Sequence, residues 1–447
     1  MADAGPGAGL TLGAVLDEEG GWARRRWVPV LFGAVMFFDS WDVLVAAFIL
    51  PLLTAEWGLR PLQVGWLLSA AYFGQFFGAI ACGWLAERFG RKPVFCLAAT
   101  AMCLMGLACA LAGSPAQFEL FRFLQGLALG GAAPVAVSYV NEVAPTQTRG
   151  RFFAIYQFLM IAGFVAASAS AALLAVDHGW RLLFVIGAAP VLLVPAIWLA
   201  LPDSPRWLLR VRGASAASEA VRRLGGLDRL LEEPARDRDT PGKVPARALF
   251  SPALRRVSIV TFLLWFLGSL VNYGLATWTP SIFVSQFHIP VADALRYGAI
   301  GSVPIFVTPL VLAATIDRYG RRPFAIGGAL LATVCLAALA ALPWGNTMLI
   351  VVLTIAGGFG TGVYAIILWP YSSEVLPTPV RAMGLGIASS LARAASSLTP
   401  LLVGGVIAAA GSVRPVFGIF ALIAGVTAFM WWTMTRETAR RPMMDHV

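Results

Sequence analysis

The chain has 447 residues, 59% of them hydrophobic and only 13% charged, and its formal net charge is +10. A soluble domain carries about 25% charged residues, so this deficit excludes a water-solvated globular protein and puts most of the chain against lipid or other apolar helices. The five cysteines, Cys82, Cys96, Cys103, Cys109 and Cys335, all fall in apolar stretches without metal-ligand companions and read as packing residues.

Residues 1–20 are small and acidic and lack the basic-then-apolar order of a cleaved signal, so the first apolar segment is expected to stay in the protein. Six apolar segments of about 20 residues, long enough to cross a bilayer at about 1.5 Å per residue, begin near Trp27, Leu62, Pro93, Gln117, Phe152 and Leu182. A polar stretch from Pro202 to Ala253 follows, interrupted by Glu232-Glu233-Pro234 and Arg236-Asp237-Arg238-Asp239; within it, Ala214 to Leu231 has the spacing of a short amphipathic helix on the cytoplasmic face. Roughly 50 residues barely form one autonomous core, and no Gly-x-x-x-x-Gly-Lys-Ser/Thr sequence occurs, so neither a soluble catalytic domain nor an ATP engine is expected. Six further segments begin near Val257, Ala294, Phe324, Thr347, Met383 and Val413. The predicted fold is an all-α membrane protein of twelve transmembrane helices: an N-terminal tail (1–26), a six-helix bundle (27–201), a linker (202–254), a second six-helix bundle (255–435) and a C-terminal tail (436–447).

The two bundles are copies of one unit. Tyr139-x-x-Glu142-Val143-x-Pro145-Thr146-x-x-Arg149 returns after 232 residues as Tyr371-x-x-Glu374-Val375-x-Pro377-Thr378-x-x-Arg381, and Glu87-Arg88-Phe89-Gly90-Arg91-Lys92-Pro93 returns after 230 as Asp317-Arg318-Tyr319-Gly320-Arg321-Arg322-Pro323. With both termini cytoplasmic, the inside segments hold 27 of the 33 basic residues, which fixes that orientation. The positive charge therefore reports topology beside an anionic leaflet of a bacterial inner membrane and is no nucleic-acid footprint.

These motifs, with Gly83-Trp84-Leu85-Ala86 before the first basic loop, Arg122-x-x-Gln125-Gly126 and Pro202-Asp203-Ser204-Pro205-Arg206-Trp207-Leu208, resemble those of a major facilitator superfamily transporter over residues 22–438. The Pro-Asp-Ser-Pro-Arg element is similar to that of sugar porters and of their organic-ion and synaptic-vesicle-glycoprotein relatives. The seventh segment lacks the sugar porters' paired glutamines; its Tyr273-Gly274-Leu275-x-x-Trp278-x-Pro280 run resembles organic-ion carriers and bacterial niacin transporters, and Asp39-Ser40-Trp41-Asp42 resembles the Asp-Gly-Phe-Asp element of aromatic-acid/proton symporters. The Pro-Glu-Thr element at the sugar porters' C-terminus survives only as Arg436-Glu437-Thr438, which supports no finer assignment.

Ionisable residues deep in a membrane are costly and usually face a polar path. Asp39 and Asp42 lie about 18 and 22 Å along the first helix and share one face, and Arg122 in the fourth segment falls at about the depth of Asp42. An Asp–Arg pair in a changing cavity is a candidate proton relay; the alternatives are a permanent ion pair between helices, and for Asp39 a cap on polar backbone or bound water. The resemblance to proton-coupled sugar porters puts the coupling aspartate at Asp42 and its arginine at Arg122. Arg393, about 18 Å into the eleventh helix, needs a carboxylate partner from ligand or protein; the organic-ion carriers' arginine at this position implies an anionic ligand, and Asp39 is the competing partner. Tyr273, Trp278, Trp265, Tyr364 and Trp369 offer an aromatic wall, with Asn272 and Gln157 as polar anchors, although each aromatic taken singly also fits lipid contact or packing. Glu87, Arg91, Glu142, Arg149, Asp317, Arg321, Glu374 and Arg381 are expected to form latches that bridge neighbouring helices when the inner mouth is closed and part when it opens. No cofactor, metal or enzymatic site is expected, because His178, His288 and His446 form no cluster. The expected function is import of a small aromatic carboxylate, nicotinate first, by proton symport as a monomer in the bilayer. A sugar or polyol symporter and a non-transporting receptor or scaffold are the alternatives.

Overall fold

Each apolar run becomes a helix because it carries its own start and stop signals. The computed structural model describes residues 12–17, 25–145, 147–225 and 246–438. Among them, twelve helices are long and apolar enough to cross a membrane: α1 (Val28–Trp57), α2 (Pro61–Phe89), α3 (Arg91–Ala110), α4 (Pro115–Val143), α5 (Arg149–His178), α6 (Trp180–Ala200, with a tighter turn at Ala189–Leu192), α7 (Arg255–Ser285), α8 (Val291–Tyr319), α9 (Arg321–Ala341), α10 (Thr347–Val375), α11 (Thr378–Ala410) and α12 (Arg414–Thr433). Most start a few residues before the apolar run, as α3 does at Arg91 and α9 at Arg321. Polar residues at the membrane edge continue the backbone ladder at no cost in burial. The side chains of Ser114 and Asn346 cap α4 and α10 by accepting the backbone N–H of Gln117 and Leu349.

An even number of crossings puts the start of α1 and the end of α12 at one end of the bundle, the termini end. Inside the first half, α2 and α4 approach until backbones touch: a β-carbon at Gly78 would run into the Leu127 carbonyl, and one at Gly126 into that of Ala71. Lipid tails are as apolar as leucine, so close backbone approach between small residues is what draws such helices together. Gly78→Ala is therefore expected to destabilise the detergent-purified protein by about 1–3 kcal/mol, read as a lower melting temperature. Gly83→Ala on the same helix, where a β-carbon meets nothing, should leave it unchanged or raise it slightly through better helix propensity.

The halves meet from about mid-length to the end opposite the termini, called here the far end. Gly65 faces the Pro400 carbonyl and Gly404 that of Pro61, Gly298 faces the Phe48 ring, and Phe158 of α5 sits edge-on to Phe306 of α8 at 5.5 Å. At the termini end, Leu12–Asp17, Pro205–Arg212 and Ala214–Leu224 form a small cap. The amphipathic helix expected over 214–231 stops at Gly225, in the left-handed region at φ +95°, and residues 226–245 lie outside the described residues. Its apolar face, Ala217, Ala220 and Val221, is covered by Leu12, Val15, Leu16 and Trp207 of the protein itself.

Candidate substrate and coupling site

The first cluster is an ion pair with a third member. Asp42 at the middle of α1 and Arg122 two turns into α4 are each 3% exposed. Arg122 Nη1 stands 3.4 Å from Asp42 Oδ2 and donates to Gln125 Oε1 at 2.7 Å. The Gln125 amide is oriented by its own N–H, which reaches the Met102 carbonyl at 3.3 Å. A neutral acceptor thus holds the guanidinium at the shorter distance, through a bond that does not depend on the charge of Asp42. Gln125 was legible only as a motif residue; its spacing of three from Arg122, on one helix face, was the available signal.

The second cluster spans both halves and is incomplete. Asp39, one turn from Asp42, has a buried Oδ1 with no hydrogen-bond partner. Arg393, at the middle of α11, is half-buried, and its guanidinium makes no hydrogen bond or ion pair with a described residue. Its charge reaches Asp39 and Tyr273, but the permanent Arg393–Asp39 bridge weighed above is not formed. Tyr273, 36% exposed, stands edge-on to Tyr72 of the other half at 5.9 Å. The buried hydroxyl of Tyr156 on α5, within the field of Asp39, also lacks a partner. Tyr72 and Tyr156 escaped sequence reasoning because a tyrosine in an apolar run carries no charge signal.

The expected aromatic wall is mostly packing. Tyr364 is fully buried against Gly268 and donates to its carbonyl at 3.4 Å. Trp265 is 5% exposed and donates to Ser372 Oγ at 2.8 Å; Trp278 is 3% exposed within the core cluster that both halves share. None of the three presents surface to a ligand here. Trp369 remains 55% exposed, edge-on to Trp265 at 4.7 Å. Asn272 is half-buried and accepts Thr361 Oγ1 at 3.1 Å, and Gln157 is half-buried without a hydrogen-bond partner among the described residues.

The basic loops fasten helix ends inside each half. Arg91 reaches Glu87 at 2.8 Å and Glu142 at 3.2 Å; Arg321 reaches Glu374 at 2.9 Å. Arg149 takes no part in these pairs, Arg381 bonds the Leu376 carbonyl at 3.1 Å, and the side chain of Asp317 lies outside the described residues. Arg91–Glu142 and Arg321–Glu374 thus bridge neighbouring helices within each half. The carboxylate of Asp203 accepts the backbone N–H of Arg91 and Lys92 at 3.0 and 3.1 Å; that of Glu437 accepts those of Arg321 and Arg322 at 2.9 and 3.0 Å. Glu437, 234 residues after Asp203, is thus a third duplicated element, disguised in sequence by one extra methylene. Gly90 and Gly320 precede these sites at φ +103° and +94°, where a β-carbon would meet the carboxylate.

A family model described as sugar (and other) transporter matches residues 42–446. The chain belongs to this family, within the major facilitator superfamily. It is a multi-pass membrane transporter and not an enzyme. It is 29% identical over 416 residues to a niacin transporter of Acinetobacter baylyi, covering 91% of this chain and 92% of the relative. It is 31% identical over 426 residues to a gallate transporter of Pseudomonas putida, covering 91% and 90%. A crystal structure of a D-xylose–proton symporter superposes with a TM-score of 0.74 at 20% identity, over 94% of this chain and all of that one. That last likeness bears on the fold alone.

Proposed function

We propose that this transporter imports a small aromatic carboxylate, nicotinate first, together with a proton, through the inner membrane of a bacterium with both termini cytoplasmic. The observation that carries the proposal is Arg393, a guanidinium at mid-helix with no hydrogen-bond or ion-pair partner among the described residues. A guanidinium keeps its charge, and its planar fork matches a carboxylate bidentately. Tyr273 beside it offers a ring face, and Asn272, Gln157 and Trp369 remain candidate contacts. The niacin and gallate relatives support an aromatic acid as cargo.

For coupling, Asp42 is the acid: a proton arriving there cancels its attraction to Arg122 while Gln125 keeps the arginine placed. Asp39 is the second candidate. Exchange of the two openings of the bundle then carries acid and proton together. Thermal shift of the purified protein with nicotinate, nicotinamide, gallate, benzoate, protocatechuate and xylose tests the ligand class, since stabilisation grows with concentration over dissociation constant. The acids are expected to raise the melting temperature and xylose to leave it unchanged. Stabilisation by xylose alone would replace the proposal with a sugar carrier. Binding without exchange of labelled acid in liposomes would make the chain a receptor.

A further inference from the structure

The duplication extends to the joint between the halves. Ser69 Oγ of α2 donates to the backbone carbonyl of Ser397 on α11 at 2.8 Å, and Ser168 Oγ of α5 lies 2.6 Å from Ser302 Oγ of α8. All four serines are at most 3% exposed. Exchanging α2 with α8 and α5 with α11 carries one contact onto the other. Ser302 follows Ser69 by 233 residues and Ser397 follows Ser168 by 229, each within one helical turn of the 230–232 that separates the repeated motifs. The ion pairs named above, in contrast, all lie inside one half.

We propose that Ser69–Ser397 and Ser168–Ser302 are the two latches of the far-end gate, released together when the carrier opens to that side. The chemistry of the Ser168–Ser302 contact suits a joint that must part many times. Ser168 Oγ lies 2.9 Å from the Val165 carbonyl of its own helix and Ser302 Oγ lies 2.7 Å from that of Ala299. Each hydroxyl has one proton, so in the closed joint one of them donates across while the other donates within its helix; on opening both donate within their helices and no donor is orphaned. An ion pair in the same place would leave two charges uncompensated on parting. The Ser397 hydroxyl in turn holds the Arg393 carbonyl at 2.8 Å, so one latch and the unpaired arginine occupy a single turn of α11.

The test is access to the joint, and it needs no substrate, so its result stands even if the aromatic-acid reading fails. Phe48, 3% exposed and set against Gly298, is replaced by cysteine, with the wild type as the blank. Labelling by a membrane-impermeant maleimide is then timed in right-side-out and in inverted vesicles. Adding Ser69→Ala or Ser168→Ala is expected to speed labelling about fivefold in right-side-out vesicles, equivalent to about 1 kcal/mol per bond, and the double variant should label faster than either. Labelling as slow as with Phe48→Cys alone in both vesicle types overturns the gate. Acceleration confined to inverted vesicles keeps the gate and reverses the orientation. Independently, oxidising the Ser168→Cys/Ser302→Cys protein is expected to stop labelled nicotinate or gallate exchanging across liposomes until reductant is added. Undiminished exchange with the cross-link in place overturns the proposal.

Discussion

Arg393→Ala abolishes binding of carboxylate ligands and leaves folded yield unchanged. No hydrogen bond or ion pair with a described residue is lost with the guanidinium, and the two local bonds at this turn, from Ser396 and Ser397 hydroxyls at 2.9 and 2.8 Å, go to the Arg393 backbone carbonyl and survive the substitution. A desolvated hydrogen bond to a charged group is worth about 1.5–3 kcal/mol, which is about ten- to over a hundredfold in affinity. Arg393→Lys rescues poorly, because an ammonium cannot reproduce the bidentate fork. Nicotinamide, similar in size but uncharged, binds the wild type at least about tenfold more weakly than nicotinate on the same ground. Titration calorimetry reads all three. Undiminished nicotinate affinity in the alanine variant removes Arg393 from the site.

The fold was legible because membrane helices announce themselves by length and composition, and the duplication confirmed each half against the other. Charge made the site partly legible: Asp42, Arg122, Asp39 and Arg393 stand out in apolar runs, and the structure places the first two in one buried pair and the others in one neighbourhood. Direction was the missing quantity. Trp265 and Trp278 share α7 with Tyr273, Tyr364 lies on α10, and only the rotation of each helix decides that Tyr273 keeps exposed surface while the others are buried. The loop acids show a related gap. Spacing shows that Glu142 and Glu374 recur in phase, but it cannot tell a contact inside one half from a contact between halves.

Asp42→Asn eliminates uphill, proton-driven accumulation and preserves exchange of labelled acid, because the amide keeps the shape of a protonated carboxyl and cannot release a proton. Its cost is a buried arginine without its carboxylate, a loss that commonly destabilises by about 3–5 kcal/mol when one partner of a buried pair is removed. The bond from Arg122 to Gln125 at 2.7 Å persists and softens that loss. Should the single variant fold poorly, Asp42→Asn with Arg122→Gln removes both charges and keeps the experiment readable. Exchange in either variant should lose the wild-type dependence on pH between the two faces, since the group that binds the proton is gone. Asp39→Asn assigns the two acids: it leaves accumulation intact if Asp42 alone carries the proton. Accumulation that survives Asp42→Asn and fails in Asp39→Asn reverses the roles. If both variants concentrate the acid as the wild type does, the proton travels elsewhere, and the buried Asp42–Arg122 pair serves only to join α1 to α4.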